Sequence, residues 1–83
     1  MNDKNFIELC KSEVSEYVNK HTDQKIKNSD VFIVWFCKTL QNYKALVCTT
    51  LFDGKYFEIT HNGDKNETYI DVYKKQDNFV VKN

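Results

Sequence analysis

The chain contains no proline and only two glycines, and its three cysteines include no C-x-x-C pair. Without proline or a low-complexity tract nothing marks a domain boundary, and with glycine this scarce there is no loop built to cradle phosphate. The missing cysteine pair removes the usual zinc spacing. No apolar run approaches the ~20 residues needed to span a bilayer, and the start MNDKNFIEL lacks the charged-then-apolar layout of a secretion signal. The reading is a cytoplasmic protein, without membrane insertion and without a cofactor. Twelve basic residues balance twelve acidic ones, so the long-range pull of a basic protein on nucleic acid or anionic lipid is absent.

What is present is a small, aromatic-rich chain. Eighty-three residues of which 14% are aromatic support one core carried by a few large side chains, and the region 1–83 reads as a single α+β domain. Cys10, Cys37 and Cys48 are odd in number and sit among apolar neighbours, which argues for reduced, buried thiols that pack as small hydrophobes.

Phe6, Cys10, Val14, Tyr17, Val18 and His21 recur at spacings of three and four, predicting an amphipathic helix over residues 4–20 with Asn2 or Asp3 as its cap. A polar linker follows from Thr22 to Ser29. The stretch VFIVWFCKTLQNYKALVCTT then reads as a hairpin, with strands over 31–40 and 43–51. Asp53-Gly54 supplies a tight-turn signal into a strand over 55–61, and a looser connection around Gly63 leads to a strand over 67–74. Phe79 to Val81 forms a candidate fifth strand. Short links make the sheet an antiparallel meander, with the helix on one face.

A two-residue turn at Asp53-Gly54 would place Cys48 opposite Ile59 and Thr50 opposite Phe57. Alternation from that register assigns Ile33, Trp35, Cys37, Leu46, Cys48, Phe57, Ile59, Ile70 and Val72 to the core. It leaves Val34, Phe36, Lys38, Val47, Tyr56, Glu58, Tyr69, Asp71 and Tyr73 on the opposite face as the candidate partner-binding residues. Such a face is too apolar for an ordinary solvated surface and marks an interface: with a second copy as a homodimer, with the C-terminal segment, or with a foreign partner. Glu58, Glu67 and Asp71 give it an acidic margin suited to a basic protein surface.

Catalysis finds little here. His61 can be drawn beside Cys48, but neither lies in a nucleophile motif, and a lone strand-end histidine reads as solvated or as a hydrogen-bonded core residue. Alternating carboxylates on a strand read as its solvated face in preference to an acid/base pair or a metal site. The chain therefore reads as non-enzymatic. Phe36, Tyr56, Tyr69 and Tyr73 are able to stack nucleobases, yet their charged neighbours are acidic, which disfavours nucleic acid as the main partner.

The run VWFCKTLQNYKALVCTT, followed by DGKYFEITHNGDKNETYIDVYKK, resembles a family of short phage and prophage proteins classed only as a domain of unknown function. The resemblance covers about residues 31–75 and is most specific at Trp35-Phe36-Cys37-Lys38-Thr39-Leu40-Gln41-Asn42, at Asn62-Gly63-Asp64-Lys65, and at Tyr69, Asp71, Tyr73 and Lys74. It carries no catalytic or ligand residues. It implies a setting in which small accessory proteins inhibit host processes or bacterial defence, so the expected partner is a host or defence-system protein and the expected role an anti-CRISPR-like inhibitor. The alternatives are an oligomeric sponge for a nucleotide immune signal and a nucleic-acid-binding accessory.

Overall fold

In the computed structural model, which describes residues 1–83, helix α1 (Asp3–His21) packs on one face of a four-stranded antiparallel sheet. The strands β1 (Val31–Thr39), β2 (Asn42–Thr49), β3 (Lys55–Asn62) and β4 (Glu67–Lys74) lie side by side in chain order, giving the α+β meander expected from the sequence. The Asn2 side chain caps the helix by accepting the Asn5 N–H at 2.8 Å. At the other end Thr22 closes it, its hydroxyl donating to the Val18 carbonyl at 2.7 Å. No helix is long and apolar enough to cross a membrane. Residues Phe79–Val81 do not form a fifth strand; the sheet ends at Lys74.

The helix stripe Phe6, Cys10, Val14 and Val18 is fully buried, as its spacing of four residues requires. Against it lie Tyr43, Ala45 and Val47 of β2, Phe57 and Ile59 of β3, and Val31 of β1, with Ile33, Phe36 and Ile70 partly buried beside them. The rings of Phe6 and Tyr43 stack at 4.7 Å, and Tyr17 meets Phe57 edge-on at 5.8 Å. The Tyr43 hydroxyl donates to the Asp3 carboxylate at 3.1 Å, so this buried phenol ties the second strand to the first turn of the helix.

Two local departures correct the face assignment. The β2–β3 connection is longer than a two-residue turn: Phe57 faces Val47 rather than Thr50, a slip of three residues, and any odd slip exchanges the faces of β2. Asp53 forms a local turn in which its carboxylate accepts the Lys55 N–H at 3.1 Å, and of the Asp53-Gly54 pair Gly54 takes the left-handed conformation, at φ 72°. In β1 the register shifts between Ile33 and Trp35, opposite Val47 and Leu46 respectively. Val34 is the extra residue of this bulge. Ile33 and Phe36 both turn inward, while Trp35 turns outward. Of the expected core, Ile33, Phe57, Ile59 and Ile70 pack with the helix; Trp35, Cys37 and Val72 are exposed, and Leu46 and Cys48 lie half-buried on the other face.

The linker is less plain than its composition. Asn19 clamps it with two hydrogen bonds, accepting the Ile26 N–H at 2.7 Å and donating to the Ile26 carbonyl at 2.9 Å, which seats Ile26 in the core. At the far end of the sheet Gly63 passes so close to the chain that a β-carbon there would collide with the backbone oxygen of Gln41. Gly63→Ala is therefore expected to destabilise the protein by about 1–3 kcal/mol in urea titration, since the obstacle is backbone and cannot rotate away. Unchanged stability would show that the two hairpin ends are not so closely apposed.

Candidate open-face interface

The sheet is covered on one side only. Its outer face carries Phe32, Trp35 and Cys37 from β1, Lys44, Leu46 and Cys48 from β2, Tyr56, Glu58 and Thr60 from β3, and Tyr69, Asp71 and Tyr73 from β4. Registered pairs make these into rows. One row runs Trp35, Leu46, Glu58, Asp71, and the next runs Cys37, Lys44, Thr60, Tyr69. The face is thus graded across the strands, apolar on β1 and β2 and acidic-aromatic on β4. Trp35, Tyr69 and Tyr73 keep 45, 44 and 41% of their surfaces in water, a large aromatic area for a small domain to leave uncovered.

Electrostatics follow the same gradient. Glu58 and Asp71 are direct cross-strand neighbours, and only Glu58 has a basic partner, Lys44 at 3.4 Å. That exposed pair is worth little to stability. The two carboxylates push the pKa of the Tyr73 hydroxyl above its ordinary value, Glu58 first and Asp71 second. Tyr73 stacks on Tyr56 at 5.1 Å, forming an aromatic shelf beside the two carboxylates. This combination presents flat apolar area with hydrogen-bond acceptors at its rim, the chemistry that receives lysine or arginine side chains on a partner surface.

At the β1–β2 side, the outer face deepens into an open groove of about 920 Å³ lined by Phe32, Val34, Leu46, Cys48 and Tyr56 with the loop residues Leu51 and Phe52. The charged residues in its lining are Lys55 and Lys75.

Of the residues expected at the interface, Tyr56, Glu58, Tyr69, Asp71 and Tyr73 share the outer face. Val34 reaches it through the bulge and lines the groove. Val47 does not belong there: it is fully buried under the helix. Phe36 packs inward, 6.3 Å from the Phe6 ring, and Lys38 reaches over the ring of buried Tyr43 at 5.4 Å. The β2 slip and the β1 bulge account for these corrections. The same two irregularities bring Trp35, Leu46 and Cys48 to the face, where Phe32 lies by the original alternation. Apolar residues at both parities of β1 and β2 were the available signal that either set was able to turn outward.

His61 is buried on the helix side, its Nδ1 2.9 Å from the Thr68 hydroxyl, and its ring lies beside Tyr43. It is the hydrogen-bonded core residue of the two readings and does not face Cys48, which lies on the other side of the sheet. No group of three or more His, Cys, Asp or Glu side chains converges.

The thiols separate by position. Cys10 is fully buried in the helix stripe, and burial pushes its pKa up to about 12. Cys48 is half-buried and is also raised by burial, whereas Cys37 is exposed, contrary to the expectation that all three pack inside. With a disulfide-exchange chromogen at pH 8, Cys37 is expected to react at once, Cys48 more slowly, and Cys10 only after unfolding, because the thiolate is the reactive form. Two or more thiols reacting at the rate of a free peptide would contradict this placement.

Residues 7–83 match a family described only as being of unknown function, DUF6275. No curated protein and no solved structure matches the chain.

Proposed function

The chain belongs to that family, and we propose that it is a non-enzymatic binding protein that engages a host macromolecule through the outer face and blocks it. The observation that supports this reading is the uncovered outer face, with Trp35 on one edge strand, Tyr69 and Tyr73 on the other, and Glu58 and Asp71 in the row that starts at Trp35. Aromatic anchors ringed by polar groups are the composition of interface hot spots, and side chains this large left in water gain most when a partner removes them from it. The acidic β4 margin favours a basic patch on the partner. The resemblance to short phage and prophage proteins supplies the setting, counter-defence inhibition in a bacterial cytoplasm, with a host or defence-system protein as the target.

Affinity capture from a bacterial host lysate, followed by mass spectrometry, tests the reading. The wild-type chain and Lys25→Glu, a change in the exposed linker after the helix, are expected to retain the same partner. Tyr69→Glu combined with Asp71→Lys is expected to lose it while keeping the wild-type circular dichroism spectrum. Retention by all three proteins would remove the outer face from the account.

A further inference from the structure

The C-terminal segment and the apolar groove are each unsatisfied. The last backbone hydrogen bond tying the chain to its body runs from the Lys75 N–H to the Gly54 carbonyl at 2.7 Å. Beyond it Phe79, Val80 and Val81 stand 78, 76 and 71% exposed, an apolar, strand-prone triplet left in water. An unpaired segment of this composition is a pairing hazard unless something covers it. No residue beyond Lys75 lines the apolar groove next to it.

We propose that two copies of this chain exchange these segments, residues Asp77–Lys82 of each lying in the Phe32–Leu46–Cys48–Phe52 groove of the other. Complementarity carries the assignment. In an extended segment alternate residues share a side, so Asp77, Phe79 and Val81 point the same way. Phe79 and Val81 then meet an apolar floor, and Asp77 meets a lining whose charged residues are Lys55 and Lys75, both positive. The groove, about 920 Å³ in volume, is open to solvent. A second copy suits the geometry better than the chain's own tail. Lys75 itself forms the groove's lip, so a tail folding back would have to reverse within the next few residues, and within the single chain it does not: no residue beyond Lys75 lines the groove, and Phe79, Val80 and Val81 stand exposed. Exchange needs no turn, uses the same two surfaces twice, and closes as a two-fold dimer. The stripe of Tyr69, Asp71 and Tyr73 lies outside the groove lining and stays open for the partner proposed above.

Sedimentation velocity of three proteins at tens of micromolar decides the matter. The full chain is expected to be a dimer. The chain ending at Gln76 and the full-length variant Leu46→Lys are both expected to be monomers, with dimer dissociation constants raised at least tenfold and unchanged circular dichroism. Tyr69→Glu is expected to remain a dimer, which keeps this result separate from the loss of partner capture. A monomeric full chain would overturn the proposal, as would a dimer that persists in the truncated chain or in Leu46→Lys.

Discussion

Val47→Asp is expected to leave the protein unfolded at neutral pH, while Leu46→Asp, one residue earlier, still melts cooperatively. Val47 has no accessible surface and is enclosed by the helix stripe and Phe57, its registered neighbour. A carboxylate placed there has no cation to pair with, and burying it uncompensated costs several kcal/mol even after the group takes up a proton. A domain of this size has on the order of 5 kcal/mol to lose. Leu46 points the other way, half-buried beside Trp35 and Glu58 on the outer face. An aspartate there stays hydrated and is expected to cost about 1 kcal/mol, although it disrupts the groove and with it the proposed dimer. Thermal melts at low micromolar concentration read both variants. The reverse outcome, with Leu46→Asp unfolded and Val47→Asp stable, would mean that the faces of β2 are exchanged and that Trp35 belongs to the core.

The second large effect is on binding. Tyr69→Glu with Asp71→Lys replaces an aromatic anchor by a charge and inverts the sign of the acidic margin, on a strand whose outer residues are exposed. Truncating a hot-spot aromatic typically costs at least ~2 kcal/mol, so partner affinity is expected to fall by more than about thirtyfold. Stability is expected to change by less than about 1 kcal/mol, because neither side chain packs with the helix. Titration calorimetry with the captured partner checks the first number and urea unfolding the second. Binding reduced only in proportion to lost stability would point to a folding defect, and unaltered binding would place the interface elsewhere.

These contrasts also show how far the sequence could be read. The helix is legible because Phe6, Cys10, Val14 and Val18 repeat at four residues on a mostly polar segment, and the cap at Asn2 stands where the pattern begins. Four strands in a meander followed from alternation and short connections. The faces of β1 and β2 were not legible, because Ala45 and Val47 compete with Leu46 and Cys48, and Ile33 and Phe36 with Phe32 and Trp35. With apolar residues at both parities, only register decides, and register depended on a loop length and a bulge that leave no compositional mark. Asp53-Gly54 looked like a complete hairpin turn; in the fold Asp53 bonds its own neighbour Lys55 and only Gly54 adopts positive φ. On β3 and β4 one parity is clearly more polar, so Glu58, Tyr69, Asp71 and Tyr73 were placed correctly. Tyr43 and Ile26 carry no such signal, each being a single large side chain in a polar stretch. Asp3 satisfies the hydroxyl of Tyr43, and Asn19 binds the backbone of Ile26.

The part of the outer face outside the groove, from Trp35 through Glu58 to Asp71, Tyr69 and Tyr73, is open in the free protein and is closed by the partner. Trp35 is the single tryptophan of the chain, so its fluorescence reports on that face alone. Acrylamide quenching of Trp35 before and after addition of the captured partner is the direct measurement. The account predicts ready quenching in the free protein and a severalfold lower quenching constant, with a blue-shifted emission, in the complex. Quenching that is already weak in the free protein, or that the partner leaves unchanged, would contradict it.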